Sequence, residues 1–377
     1  MNFIVFKEEI YSQVQALSVI ADKRHVLPIL SCIRFEVQDG ILSLKASDTE
    51  TELTYYIPLS DPYKNGKIIL HSKKVFQILK TAPKNSKIKF SSLEKNQISL
   101  RYNSSSFLLS SMEEVDNFPQ IDSKKNNFFF SIRSYDFYQV IKKVQVTMAK
   151  NDVRYFLNGL LCEIDNESSF KKMSCIATDG HRMGIAEVPI IKKDNVLCDY
   201  KNIIIPYKAI NELNRTLFSQ KKDVEIFVYI GKSYFKVRHK YSIFISRLIS
   251  GEYPNYKKVI PENNNKIVVA DRNRFKEVLQ RMSIFSNEVY RTVRLILESN
   301  SIKFLASNSE GEIAEDRMTV NYKYTSMEIG FNVDYLLSIV NSLTEDIIVL
   351  KFGDSNTSLL ISESHFNTKY ILSPISL

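Results

Sequence analysis

The sequence predicts an α+β protein of three repeated domains, each an antiparallel sheet assembly carrying two helices on one side. Three observations carry this expectation. A strand pair ends three times on the signal Ala-[Ser/Thr]-[Asp/Asn]: Ala46-Ser47-Asp48, Ala177-Thr178-Asp179 and Ala306-Ser307-Asn308. The signal recurs at a period of about 130 residues, the kind of internal self-similarity that marks repeated units. Each copy also closes on an apolar strand followed by a proline, at Phe118-Pro119, Tyr253-Pro254 and Pro374.

The elements follow in the same order in each copy. The signal strands are Leu42-Ser43-Leu44-Lys45, Met173-Ser174-Cys175-Ile176 and Ile302-Lys303-Phe304-Leu305, where apolar and polar residues alternate as on a half-buried strand. A first helix precedes each signal. In copy two Phe137, Val140, Ile141, Val144 and Met148 make its apolar stripe, and in copy three Phe275, Val278, Leu279 and Met282 do so. Second helices begin near Ser72, Pro206-Tyr207 and Asn332, and alternating strands follow at Lys87–Phe90, Glu225–Val228 and Ile347–Leu350. Polar connectors near 122–127 and 261–265 divide the chain into domains 1–122, 128–253 and 262–377. Six helices are too few to cover both faces of so much sheet, hence one-sided coverage of antiparallel strands.

Composition excludes several classes. The 377 residues are 44% hydrophobic and 25% charged, which is ordinary for a globular protein. No apolar run is long enough for a membrane span. The N-terminus lacks a basic n-region and reads as a strand entering a helix rather than a signal peptide. Cys32, Cys162, Cys175 and Cys198 form no CxxC pair and are read as buried reduced thiols, which places the protein in the cytoplasm. Gly231-Lys232-Ser233 lacks the upstream glycine of a phosphate-binding loop and reads as a hairpin turn. Asp179-Gly180-His181 has an acid beside a histidine, but no nucleophile signature accompanies it; a turn is the favoured reading and a hydrolase the competing one. The five histidines include no HExxH, and no metal or cofactor is expected.

The net charge of +9 favours a polyanionic partner. Lys142, Lys143 and Lys150 are read on the solvent side of the copy-two helix, and Arg272, Arg274, Lys276 and Arg281 on that of copy three. Lys7, Lys23, Arg24, Lys73, Lys74, Lys80, Lys208 and Arg215 extend the bias to the other helices, except the last. Any one of these reads as solvated surface; the recurrence over five helices points to phosphate contacts without sequence readout. No recognition helix or aromatic platform is visible in the sequence, which disfavours sequence-specific or single-strand binding; a monomeric nucleic-acid-binding protein with repeated domains is a competing reading.

Several stretches resemble the beta subunit of bacterial DNA polymerase III, the sliding clamp family. They include Leu27-Pro28-Ile29-Leu30, Asp152-Val153-Arg154-Tyr155-Phe156-Leu157-Asn158-Gly159, Ala177-Thr178-Asp179-Gly180-His181-Arg182, Tyr253-Pro254-Asn255-Tyr256, Ser286-Asn287-Glu288 and Glu328-Ile329-Gly330-Phe331-Asn332-Val333. The resemblance spans the chain. It implies a clamp fold, a head-to-tail homodimer forming a six-domain ring, and no catalysis. The implied role is a processivity factor that encircles duplex DNA without sequence specificity. Its implied partners are the clamp loader, the replicative polymerase and other proteins bearing a clamp-binding motif.

The resemblance also assigns sites. A partner-peptide pocket between the second and third domains maps to Arg154, Tyr155, Phe156, Leu157, Thr178, Gly180, His181, Arg182, Met183, Pro254, Lys258 and Val259. From the third domain come Asn332, Tyr335, Ser358, Ile371, Leu372, Ser373, Pro374 and Ile375. Ser373 stands where the family commonly has a flexible Met, and Ser376 where a basic residue is common. Arg24, Lys73 and Asn151 match DNA-facing positions; Lys150, Lys208 and Arg215 join them on charge. Phe107 and Leu109, with Ile284 and Phe285, match the apolar contact of the dimer.

Overall fold

In the computed structural model, which describes residues 1–21, 27–94, 96–113, 117–123, 128–165, 171–193, 202–216 and 223–376, every strand pairing described is antiparallel. The α-helices are α1 (Lys7–Ala21), α2 (Ser72–Thr81), α3 (Ser134–Gln145), α4 (Tyr207–Thr216), α5 (Arg272–Phe285) and α6 (Val333–Ser342). Among the described residues, two helices thus fall to each copy of the repeat.

The three signal strands, Ile41–Ser47, Lys172–Thr178 and Ser301–Ser307, bury the same register. Leu42, Leu44 and Ala46 in the first match Met173, Cys175 and Ala177 in the second and Ile302, Phe304 and Ala306 in the third. The period-two alternation that identified these strands is therefore the alternation that fills the cores. Each fully buried large side chain contributes about 1.5–3 kcal/mol before entropy is counted.

The contacts divide the chain into two compact units. The first unit comprises Met1–Tyr135, Ile191–Tyr200 and Lys208–Leu248. It holds a four-stranded sheet ordered Asn2–Phe6, Lys87–Ser92, Gln97–Tyr102, Ser105–Ser110. It also holds a nine-stranded sheet in which copy-two strands, ending with Ser242–Arg247, join copy-one strands, beginning with Thr51–Pro58. At that junction Ser246 lies opposite Thr51, and Ser242 opposite Tyr55. Helix α1 buries Ile10, Val14, Leu17 and Ile20 and packs beside α2.

The second unit comprises Asp136–Ile190, Lys201–Tyr207 and Ile249–Leu377. Its eight-stranded sheet is continuous through the pairing of Arg182–Pro189 with Thr368–Leu372, where Arg182 faces Leu372 and Ile185 faces Lys369. Its four-stranded sheet is ordered Ile313–Thr319, Ser301–Ser307, Thr292–Glu298, Met327–Asn332. Phe275, Val278, Leu279 and Met282 of α5 and Leu336, Ile339 and Val340 of α6 share one core with residues of both sheets. Asp271 caps α5, accepting from Arg274 N at 2.8 Å.

Each unit thus fuses half of the central copy to a terminal copy, because sheets run on from one copy to the next. The strand that follows a signal strand pairs with the closing strand of the next copy: Thr51–Pro58 with Ser242–Arg247, and Arg182–Pro189 with Thr368–Leu372.

Two expectations need correction. Lys143 is not on a solvent face: its side chain is 2% exposed and its ammonium is bonded to Glu363. It sits next to Val144 at the margin of the apolar stripe, close enough to be drawn in when a buried carboxylate lies opposite. Met148 and Lys150 lie beyond the end of α3; Met148 is nonetheless buried. Gly231–Ser233 is the expected hairpin turn, with Gly231 N donating to Tyr234 O at 3.0 Å. Cys32, Cys162 and Cys175 are buried free thiols; Cys198 lies outside the described residues. No described helix is long and apolar enough to cross a membrane.

Candidate functional site

The turn after the copy-two signal strand organises a groove in the second unit. Asp179 Oδ1 accepts the backbone N–H groups of His181 and Arg182, both at 3.0 Å, while Oδ2 accepts from Arg182 Nε at 2.9 Å. Thr178 Oγ1 accepts from Gly180 N at 3.1 Å and donates to Arg182 O at 2.8 Å. Gly180 has φ +90°, a left-handed conformation, and a Cβ there would meet Arg154 Nη2 at 2.9 Å. The Asp179 carboxylate is thus occupied in holding the turn, which removes the reason to read it as orienting a catalytic histidine. Its neighbour His181 instead stacks on Tyr335, with ring centroids 6.1 Å apart.

Arg154 is fixed by Asp152, whose Oδ1 accepts from Nε at 3.0 Å and whose Oδ2 accepts from Nη2 at 2.8 Å. These bonds hold the Asp152 carboxyl down at about 2. Arg182 bridges the two copies: its guanidinium lies 4.2 Å from the Tyr335 ring centroid and donates to Ser338 of α6. Asn332 caps α6, accepting from Asp334 N and Tyr335 N at 3.0 Å each, and so aims Tyr335.

Between these groups lies a cavity of about 180 Å³ lined by Arg154, Leu157, Thr178, Gly180, His181, Arg182, Met183, Tyr253, Pro254, Tyr256, Val259, Ile371 and Ser373. Its floor is a small second core that includes Ile176, Met183, Tyr256 and Ile371, with Phe156 packed against it. Val259 and Tyr155 are 55% and 58% exposed, so neither is a core residue. The tail closes one side: Ser373 N donates to His181 O at 2.9 Å, and Ile375 N to Gly330 O at 2.8 Å.

Most of the expected pocket residues therefore converge, with qualifications. Leu372 is fully buried and belongs to the third-copy core; strand alternation turns it away from the groove that Ile371 faces. Lys258 is exposed on the adjoining turn, and Ser358 precedes strand Leu359–Glu363; neither lines the cavity. Pro374 and Ile375 are half-buried next to Ser373. Tyr253 and Tyr256 were missed as lining residues, although the Tyr-Pro-Asn-Tyr stretch that carries them was visible.

The other sites divide differently. Lys73 and Arg215 are exposed on α2 and α4; Lys150 is exposed with its ammonium 5.6 Å from the Tyr207 ring, and Asn151 adopts φ +59°. Lys208 is compensated, lying 2.6 Å from Asp48 and 2.8 Å from Glu50. Arg281 is likewise paired, 2.6 Å from Asp316. Arg24 lies outside the described residues. Phe107 and Leu109 lie half-buried on the edge strand Ser105–Ser110; Ile284 is 74% exposed at the end of α5, and Phe285 packs partly on the core. No group of three or more His, Cys, Asp or Glu suited to a metal occurs among the described residues.

Repeated antiparallel domains that share continuous sheets, with an apolar groove where the second and third meet, define the class of clamp-fold scaffolds. Family models agree along the whole chain: the DNA polymerase III beta subunit N-terminal domain matches residues 1–122, the central domain 131–255 and the C-terminal domain 257–376. The chain belongs to the DNA polymerase III beta subunit family, the sliding clamps, which are non-catalytic accessory subunits of the polymerase. It is 32% identical to the beta sliding clamps of Pseudomonas aeruginosa and Escherichia coli over 378 residues, covering 100% of each chain. A crystal structure of the Pseudomonas aeruginosa subunit superposes with a TM-score of 0.92 at 31% identity, and one bound to griselimycin with 0.93, both over 100% of each chain.

Proposed function

We propose that two copies of this chain, each of domains 1–122, 128–253 and 262–377, close head to tail into a ring around duplex DNA. One observation carries this reading: the pairing rule inside the chain is left incomplete at its two ends. The strand after the third signal, Ile313–Thr319, is a sheet edge, and the closing strand of the first copy, Ser105–Ser110, is another. Applying the rule once more pairs Ile313–Thr319 of one copy with Ser105–Ser110 of the next. Ile313 is 71% and Leu108 59% exposed on these edges, and open apolar edges invite pairing. Phe107, Leu109, Ile284 and Phe285 would pack beside that junction.

Exposed Lys73, Lys150 and Arg215, with Arg24 and Asn151, would meet phosphates weakly, so topology rather than affinity retains the ring. The groove at Gly180–Met183 would receive apolar anchors of short peptides from the polymerase, the clamp loader and other partners. Ser373 and Ser376 would tune that affinity. The family's work in replication and the buried free thiols support a cytoplasmic location.

The test is topological. Protein loaded on nicked circular DNA should stay bound in high salt and dissociate once the circle is linearised. Equal loss from circles and linear DNA would show that no ring encloses the duplex.

A further inference from the structure

The first unit carries a second groove that the clamp reading does not use. It is a concavity of about 460 Å³ on the nine-stranded sheet, lined by Ile41, Tyr56, Pro58, Tyr229, Lys236, Arg238, His239, Lys240, Tyr241 and Ile243. Three cations face it, and no carboxylate is among its lining residues. The acid that acts on Lys236 is Glu52, which is buried and already 2.7 Å from Lys45, and Glu36, which acts on Tyr56, is engaged by Arg34 at 3.2 Å and Lys67 at 3.5 Å. Burial, and then the charge of Arg238, depress the Lys236 ammonium; burial and Lys240 do the same to His239. The wall residue Tyr56 is held by its backbone N–H donating to Tyr241 O at 2.8 Å, so the groove is built rather than a chance cluster of side chains.

The repeat provides an internal comparison. Tyr56 is the sixth residue of Thr51–Pro58, and Glu187 is the sixth of Arg182–Pro189, the strands that follow successive signals. The groove around Glu187 in the second unit is lined by Glu163, Asp165 and Glu187 together with Lys172, Lys257 and Lys369. Its charges balance internally, with Lys172 2.8 Å from Glu187 and Lys257 3.6 Å from Glu163. The equivalent groove at Tyr56 has cations on its walls and no acids. A site that gathers like charges without internal neutralisation stores electrostatic cost that an anionic ligand relieves.

We propose that this groove receives an acidic, partly apolar peptide segment of a partner protein. Nucleic acid is the less suited polyanion, because lysine ammonium groups already lie over two of the three tyrosine rings that a base would stack on. Lys236 Nζ lies 5.4 Å from the Tyr229 centroid and Lys240 Nζ 4.9 Å from that of Tyr241. Phe129 lies against Tyr229 with centroids 5.7 Å apart. Ammonium groups so placed are ready to bridge carboxylates, and Ile41, Pro58 and Ile243 supply the apolar wall for the intervening side chains.

The test uses the full chain and three fluorescein-labelled probes. They are a short peptide alternating Glu or Asp with Leu and Tyr, its Gln/Asn isostere, and an oligothymidylate. The acidic peptide should bind, weaken as salt is raised, and outcompete the other two. Combining Lys236→Gln, Arg238→Gln and Lys240→Gln should weaken it about tenfold or more. The same charge change at exposed Lys64, Lys84 and Lys89 should alter it less than about twofold. Tyr241→Ala, which keeps every cation, should still weaken binding several-fold, and thermal unfolding checks that the variants are folded. The proposal is overturned if the acidic peptide fails to bind wild type. An equal loss in both triple variants, or an unchanged affinity in Tyr241→Ala, overturns it as well. So does an oligothymidylate that binds more tightly and loses affinity with the groove triple.

Discussion

Lys143 and Glu363, separated by 220 residues, form an ion pair buried between the helix of the central copy and a strand of the third. Glu363 also accepts from the backbone N–H groups of Thr344 and Glu345, at 2.6 and 2.7 Å, and from Thr344 Oγ1 at 2.7 Å. The main-chain carbonyl of Lys143 accepts from Tyr370 Oη at 3.0 Å. Two charges out of water are tolerable only because each is paired and further hydrogen-bonded.

Removing both partners should therefore cost less than the two single removals added together. Glu363→Gln or Lys143→Met alone should destabilise by about 3–5 kcal/mol, whereas Lys143→Met combined with Glu363→Gln, whose amide oxygen still accepts from Thr344 and Glu345, should cost less than the sum of the two. Urea unfolding of the three variants measures this; a double loss equal to that sum would mean the charges are not coupled.

The same pair makes a pH expectation with a definite sign. Burial opposes ionisation of Glu363, but bonds from Lys143, Thr344 and Glu345 outweigh it, and its carboxyl ends below the ordinary value. Its stabilisation is complete above the unfolded value of about 4.3 and is lost as pH falls through the lower folded value. Unfolding midpoints measured from pH 7 down to 3 should drop less steeply in Glu363→Gln than in wild type.

At the proposed ring junction, Ile284→Ala with Phe285→Ala should give a folded monomer of 43.7 kDa by light scattering. Large apolar anchors of this kind are worth about 2–4 kcal/mol each. A double variant that stays dimeric at low micromolar concentration would place the interface elsewhere.

In the groove, Gly180→Ala forces a Cβ into the left-handed turn and against the Arg154 guanidinium. Affinity for a clamp-motif peptide should fall about tenfold with dimerisation unchanged. Deleting residues 373–377 should abolish polymerase stimulation, since it removes both the Ser373 wall and the Ile375 tether. A truncated chain that binds polymerase tail peptides as wild type does would move the groove to another surface.

For DNA, neutralising Lys73, Lys150 and Arg215 together should flatten the dependence of log K on log salt by roughly 0.9 for each phosphate no longer neutralised by the protein. Lys208→Gln should change it far less, because Asp48 and Glu50 already compensate that charge. A larger effect from Lys208 than from the exposed trio would reverse this assignment.

What the sequence determined by itself is whatever depends on local period and on repetition. Alternation at Leu42, Leu44 and Ala46 and its counterparts marked the signal strands, and stripes such as Phe275, Val278, Leu279 and Met282 marked the helices. Both periodicities are imposed by backbone geometry over a few residues, so they survive in the linear chain. The groove residues near Asp152–Gly159 and Thr178–Met183 were visible through family likeness, not through any period. Only the tertiary structure decided which face a charged or ambiguous residue takes. Lys143 turned inward because Glu363 lies opposite it, Leu372 turned away from the groove because Ile371 faces it, and Lys208 was neutralised by Asp48 and Glu50. The two charged outcomes depend on partners on other elements more than a hundred residues away, and which of Ile371 and Leu372 faces the groove depends on the strand Arg182–Pro189 against which theirs pairs. Electrostatic pairing and sheet alternation act through space, and a pattern read along the chain contains no distance of that kind.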